Sequence, residues 1–572
     1  MSSQVPRIPQ LDSRAAARAK QVARDRQRYA YDYSWPPGVA MPASLRRSDQ
    51  WTAGYLLKAL DANVAVVVNS AELRATLDVR DLKALEHRFL AGAELVSSKA
   101  PRERPASIAG YQEYFNHFER PPLVRLLNSA PWERDRAFAW QRLAGVNPMV
   151  IRNVTRLPDH FPVTEAHYAA AIPGGDTLAA AAAEGRLFLA DYVALEGAAT
   201  GTTSGRPKYM TAPLALFAVP SGATALMPVA IQCTQTPGEH APVFTPRDGF
   251  RWRMAQAFVQ TADANLHEAV EHLGRTHLVM GAVCMGMRRQ LAASHPLRVL
   301  LEPHVELTFA INDDARGGLI GRGGVVDRIM GGTIEATLGA LKAGMDGFSL
   351  QDAAPRRALA ARGVLDPAGL PEYPYREDAV PVWDAINGFV RGYVELYYVL
   401  DADVAGDMEL RAWTDELGSE RGGRLRHLRP VNTLEELIEL ITNVLFIASA
   451  QHAALNFSQF PYMGCVPNMA GACWGPAPTL ATPDTADELL QRMPPWHIAT
   501  IAADTAWQLS QIRINTLGDY GHAFSDPLTA PLVRDFRAAL DDVERAIRER
   551  ELRRFLPYPF LLPSTIPASI NV

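Results

Sequence analysis

The sequence predicts a mainly α protein, one large helical domain with a small β subregion. Two changes of texture along the chain predict it. After Phe250 apolar residues recur at helical spacing almost to the end, whereas residues 186–235 are short apolar runs bounded by Gly, Pro, Ser and Thr. With 572 residues, 48% of them hydrophobic and 21% charged, the chain is long enough to bury a large core without staples.

Residues 1–50 are polar, basic and proline-dotted and read as an N-terminal arm or extra helix, with residues 51–572 as the main domain. LKALEHRFLAGAELV (82–96) and AFAWQRLAGV (137–146) carry helical periodicity. LFLADYVALEG, KYMTAPLALFAV and ALMPVAIQC read as strands of a small sheet. Helices are predicted over 251–278, 280–293, 374–402, 433–456, 498–513 and 526–549. GGLIGRGG (317–324) and PYMGCVPNMAGACWGPAP (461–478) are turn-rich loops. The final stretch, PYPFLLPSTIPASINV, is apolar and extended by its prolines, and an apolar chain end should be buried.

The net charge of −5 is spread over interspersed acids and bases, without the basic face a nucleic-acid partner would need. Cys233, Cys284, Cys465 and Cys473 fit neither a paired zinc spacing nor a disulfide framework. The first residues carry no apolar run of a Sec-type signal, and no stretch reaches the roughly 18 apolar residues of a membrane span. These features give the expectation of a cytoplasmic protein, with secretion left open.

Three histidines stand at five-residue intervals, His267, His272 and His277 in LHEAVEHLGRTH, and far downstream His452 and Asn456 stand four apart in SAQHAALNF. Neutral imidazole is a common ligand of iron, copper, zinc and nickel. On an ideal α-helix, residues five apart point about 140° away from each other. His272 and His277 therefore cannot share an ion unless a π-turn, with i→i+5 bonding, brings them onto one face. His452 and Asn456 share a face on an ordinary helix. H-E-x-x-x-H at 267–272 is one residue too long for the zinc-protease motif. No C-x-x-C-H is present to attach haem.

The spacing H-x4-H-x4-H, followed by His295-Pro296 and then His304, resembles the signature of the lipoxygenases. The resemblance runs from AWQRLAGVNPMVIRNV (139–154) to the last residue and includes ASAQHAALNFSQFPYMGCVPN and the terminal IPASINV. It implies a helical lipoxygenase-type catalytic domain and a non-haem iron held by His272, His277, His452, Asn456 and the carboxylate of Val572. His267, Glu268 and Gln459 would orient those ligands by hydrogen bonds. Some manganese members also end in valine, but their first histidine pair is spaced differently, so iron is expected rather than manganese.

The resemblance further implies insertion of O2 into a polyunsaturated fatty acid bearing a cis,cis-1,4-pentadiene, the metal acting as redox centre. Leu319 and Leu509 match residues that clamp the pentadiene, and Leu273, Leu278 and Ile311 would line the same pocket. Ala315 occupies a position where alanine accompanies S products and glycine R products. Ile329 and Met330 match a bulky pair that makes the pocket shallow, implying 13S-hydroperoxide from linoleate and 15S from arachidonate. Ala264, where such relatives carry phenylalanine, would deepen the pocket and imply 9S or 12S products.

Asp314 and Met469 stand where relatives carry basic residues, so neither inherited carboxylate anchor is present and a phospholipid ester is an alternative substrate to the free acid. Nothing before residue 137 reads as the eight-stranded N-terminal barrel of animal and plant members, and that barrel is expected to be absent. SIAGYQEYFNHFERP (107–121) is aromatic and amphipathic. Tyr111, Tyr114, Phe115 and Phe118 are candidates for a lid facing lipid, with core packing as the other reading. The expected protein is a monomer with at most peripheral membrane contact. A hydroperoxide isomerase of the same fold and a non-catalytic lipid-binding scaffold are the competing functions.

Overall fold

The computed structural model describes residues 5–70, 79–85 and 89–572. Its backbone is mainly helical, wrapped around one helix that runs without interruption from 249 to 290. That helix consists of an α segment Gly249–Leu266, a π segment His267–Leu278 and an α segment Val279–Gln290. The sequence reading broke it at 279, but Val279 lies at 0% exposure in mid-helix. A helix apolar on nearly every side belongs inside a large core, and this one is buried along almost its whole length. Gly249 starts it at φ +60, where an added Cβ would lie 2.5 Å from the Asp484 carboxylate that caps the backbone of Phe250.

A second central helix spans Leu434–Met463, and it is long and apolar enough to cross a membrane. In its most apolar window 89% of the residues are buried inside the protein, which makes it a core helix. Thr433 and Glu436 form a capping box at its start. Around these two pack Ile334–Asp346, Pro374–Glu395 and Trp496–Gln511, and Thr529–Glu551 packs on Pro374–Glu395. Pro374–Glu395 ends before the predicted 402, and a short separate helix Asp401–Gly406 follows. Ile334–Asp346 approaches the π segment closely at Gly344, where a Cβ would meet Val270 at 2.4 Å.

The β subregion is an antiparallel meander of Ile151–Asn153, Leu187–Asp191, Leu214–Ala218, Met227–Gln232 and Val243–Phe244 in that order. The outer two strands fall outside the predicted range. Alternate side chains point to opposite faces. Phe188, Ala215 and Phe217 join the main core, while Leu187, Leu189, Leu214 and Leu216 pack against Phe161 and Tyr168 in a second cluster. Burial of both faces explains why these strands read as unbroken apolar runs.

Near the amino end, helix Ala15–Arg28 packs on Val279–Gln290. Arg18 holds Glu409 at 2.5 Å and Asp12 at 3.2 Å. Residues 86–88 of the predicted helix 82–96 lie outside the described residues, and Val79–Ala84 and Ala91–Lys99 are helical on either side. Among the described residues before 93 the strands are the two-residue pair Tyr31–Asp32 and Met41–Pro42, and no barrel is formed. All four cysteines are free and buried.

Of the two readings of the aromatic run at 107–121, the packing is that of core residues. Residues Ile108–Tyr114 form a 3-10 helix, and Tyr111, Tyr114, Phe115 and Phe118 are all below 10% exposed. Phe115 and Phe118 meet Phe460 edge-on, and Phe118 stacks on Trp507 at 4.1 Å between centroids. The amphipathic pattern reflects packing against the core.

Candidate metal centre

The π segment His267–Leu278 resolves the spacing problem posed by the sequence. With i→i+5 bonding, side chains five apart stack on one face. The rings of His267 and His272 lie parallel at 5.4 Å, and those of His272 and His277 meet edge-on at 4.9 Å. A second π segment, Ile447–Gln451, immediately precedes His452–Asn456, and a third, Ala315–Leu319, lies across the pocket. The sequence reading expected an ordinary helix at the second and a loop at the third.

His272, His277 and His452 are buried, with one potential ligand atom from each lying within 4.8 Å of the others. Nε2 of His452 is 3.1 Å from Nε2 of His277. Two imidazole nitrogens bound side by side at about 2.1 Å each would stand about 3 Å apart, so this edge already has the span a metal requires. Nε2 of His272 is buried without a hydrogen-bond partner among the described residues. A buried lone pair left in this way is costly, and a cation satisfies it.

Hydrogen bonds set which nitrogen of each ring faces the centre. Asn312 Nδ2 donates to the His277 carbonyl at 2.8 Å, so its Oδ1, 3.0 Å from His277 Nδ1, is the acceptor. His277 therefore carries its proton on Nδ1 and presents Nε2 as a lone pair. Glu268 takes the same part for His272, with Oε2 3.4 Å from Nδ1. Burial pulls His277 down to about 3, with the neighbouring His272 ring adding to the fall and the Asn312 hydrogen bond opposing it. Burial likewise takes His452 well below the usual histidine range. Neutral imidazoles are the state that binds metal.

Asn456 is fully buried; its Nδ2 donates to the Leu509 carbonyl at 2.7 Å and its Oδ1 accepts from Gln459 at 3.1 Å. That orientation keeps the amide oxygen on the side away from Leu509 and leaves it a second lone pair. The chain end reaches the same place. Val572 is 1% exposed, its backbone lies against His452, and it lines one cavity with His272 and His277.

Several grips hold the tail there. Thr308 Oγ1 donates to the Ile570 carbonyl, Ser569 Oγ to the Glu306 carbonyl, and the Ala568 amide to Asn515 Oδ1. His304 Nδ1 donates to the Ala568 carbonyl at 2.8 Å, and burial pulls this ring down to about 4. His295 lies outside the centre and caps helix Pro296–Leu301 through the Leu297 amide, with Nε2 on Asp407 at 3.0 Å. His267 is fully buried beside His272, its Nε2 3.7 Å from Glu268 Oε1, and burial pulls it down to about 4.

The cavity at the centre is lined by Leu273, Ile311, Ala315, Leu319 and Leu509 among the predicted pocket residues, and also by Ile320, Val326 and Thr337. Leu278, Ala264, Ile329 and Met330 do not border it; all four are buried in the core. The wall is hydrocarbon except at Glu268, the histidines and Thr337. Asn312 was missed by sequence reasoning, because its role depends on a contact across 35 residues. The asparagine in TFAINDD carries no local signal of it.

Residues 93–520 match the sequence model of the lipoxygenase family. The chain is similar to the linoleate 9/13-lipoxygenase of Pseudomonas aeruginosa, at 40% identity over 460 residues, which is 77% of this chain and 66% of that one. It is similar to the polyunsaturated fatty acid lipoxygenase ALOX15B of Rattus norvegicus, at 34% identity over 475 residues, 82% of this chain and 69% of that one. In three dimensions it superposes on the anaerobic crystal structure of delta413-417:GS LOX in complex with arachidonate. That likeness has TM-score 0.89 and 28% identity, and it covers 100% of this chain and 84% of the other. The match thus spans about two thirds of the length of these curated relatives.

Proposed function

Because the chain belongs to the lipoxygenase family, we propose that it is a non-haem iron dioxygenase of polyunsaturated fatty acids. The observation that carries this reading is the cluster of three buried imidazoles, two of which line one apolar cavity together with the chain's own terminus. His272, His277, His452, Asn456 and the Val572 carboxylate would hold the metal. Iron bound there supplies the one-electron chemistry by which a hydrogen atom leaves the bis-allylic carbon of a 1,4-pentadiene.

The protein's own contribution is orientation and exclusion of water. Asn312 and Glu268 fix the tautomers of His277 and His272. His267 backs the stack as a neutral ring, and Gln459 turns the Asn456 amide. Leu273, Ile311, Leu319 and Leu509 present the hydrocarbon walls against which a pentadiene packs. Ala315 puts one methyl group on the cavity wall, which limits where O2 can reach the substrate radical and supports S products.

For regiochemistry the reading is 13S-hydroperoxide from linoleate and 15S from arachidonate, with 9S as the second outcome. The match of Ile329 and Met330 to a bulky pair in relatives supports the first, and Ala264 at a position where relatives carry phenylalanine supports the second; none of the three borders the cavity at the centre. Linoleate incubated with and without O2, followed by conjugated-diene absorbance with iron measured on the same sample, tests the activity. Chiral chromatography of the product tests position and hand. Diene formation without O2 uptake, or none with iron bound, would overturn the dioxygenase.

A further inference from the structure

A second cavity, of about 890 Å³, lies beside helix Trp496–Gln511 and shares no lining residue with the histidine pocket. Its size is that of a small-molecule or lipid head-group site. Val66, Val96 and Trp496 supply apolar wall, and two groups on it lack a natural counterpart. Asp504 is fully buried; its Oδ1 accepts from the Tyr114 hydroxyl, and its Oδ2 has no hydrogen-bond partner among the described residues. Burial raises this carboxyl well above the usual range, against the Tyr114 hydrogen bond, so it keeps a proton it can donate.

Arg104 is the second group. It is half-buried, its Nε donates to the Met493 carbonyl at 2.6 Å, and among the described residues no carboxylate forms an ion pair with it. Its position is fixed, because the preceding segment is tied to the helix start by Trp496 N to the Glu103 carbonyl at 2.9 Å and His497 N to the Pro101 carbonyl at 3.0 Å. Arg206 repels Arg104, and Arg102, Arg206 and Arg328 act electrostatically on His497, the residue after Trp496. Arg328 is matched by Glu94 at 3.5 Å, and Glu103 and Glu113, which also border the cavity, are exposed to water.

We propose that this cavity receives the oxyanion head of a lipid, a carboxylate or an ester phosphate, with Arg104 as counter-charge and the Asp504 carboxyl as hydrogen-bond donor. The proposal rests on the reading of the chain as acting on fatty acyl substrates and assigns their head-group subsite. Asp504 and Leu509 stand on one helix, about 7.5 Å apart along its axis and about 140° apart around it, so the head site and the pentadiene wall lie on different sides of that helix. An oxyanion also explains why an unpaired guanidinium and a protonated acid face one space.

The test is binding by the full chain of oleate, oleyl phosphate, methyl oleate and inorganic phosphate, none of which has a pentadiene to oxidise. Trp496 fluorescence reports occupancy, with Trp496→Phe isolating its signal from that of the other tryptophans. Oleate or oleyl phosphate should bind at least tenfold more tightly than methyl oleate, and the preferred one of the two identifies the source of the oxyanion. Arg104→Gln should collapse that difference, as should Asp504→Leu; the arginine variant serves alone if the core variant does not fold. Equal binding of methyl oleate, an unchanged difference in Arg104→Gln, or an equal response to inorganic phosphate alone would overturn the proposal. O2 uptake with linoleate by the unmodified chain is read separately, so loss of the dioxygenase reading and loss of the head-group site are distinguishable.

Discussion

Nε2 of His452 lies 3.1 Å from Nε2 of His277, although 175 residues separate them in the chain. Two π segments in two core helices create this approach, and each places its histidine on the face that looks at the other. The pair is the nearest edge of the candidate centre, and what supports it from behind can be tested.

Asn312→Ala removes the acceptor that keeps the His277 proton on Nδ1 and strands the His277 carbonyl. Loss of such a supporting partner typically lowers metal affinity 10- to 100-fold. Iron content after dialysis against a graded chelator should fall by that order while the helical circular dichroism is retained. Unchanged retention of iron would show that Asn312 does not set the tautomer.

Deleting Val572 moves the terminal carboxylate back by roughly 3.5 Å, the span of one residue. Thr308, Ser569 and Asn515 still hold the rest of the tail, so the fold should persist. The shortened chain should lose most of its iron and its diene-forming activity. Full iron occupancy in that variant would remove the chain end from the centre.

Ala315→Gly takes away the one methyl group that residue contributes to the cavity wall. The product from linoleate should shift from S toward R, with a change in the carbon oxygenated. Chiral chromatography that returns the same enantiomer and position from both proteins would contradict the role given to Ala315.

His304 is held neutral by burial, which pulls it down to about 4 from the ordinary histidine value of 6.5. The unfolded chain therefore takes up a proton there that the folded chain refuses, so this contribution to stability is lost as pH falls from 6.5 toward 4. Between pH 7 and pH 5 the loss at this one site is about 2 kcal/mol. His304→Asn lacks the titration, so its urea midpoint should move less over that interval than that of the unmodified chain. Equal movement in the two proteins would mean that His304 is protonated in the fold.

Much of this architecture was legible before any coordinates. Apolar periodicity located the helices near 249–290, 434–456, 496–511 and 529–551, since a helix inside a core must be apolar on most faces. If His272 and His277 share one ion, their five-residue spacing requires a π-turn between them, and a π segment runs over His267–Leu278. The apolar terminal stretch announced its own burial.

Other features depend on contacts that sequence spacing does not encode. The aromatic run at 111–118 has the pattern of a surface helix, and only Phe460 and Trp507, brought in from more than 340 residues away, make it core. Asn312 becomes the partner of His277, and Asp504 that of Tyr114, because separate helices pack side by side. The chain by itself determined which residues are able to bind a metal, since neutral imidazoles at that spacing, set in apolar helices, have few other uses. Tertiary packing alone decided which nitrogen of each ring faces the centre and which leucines wall it. It also decided where an arginine and a protonated acid came to share a cavity. Each of these depends on the mutual placement of segments distant in sequence, which local spacing does not specify.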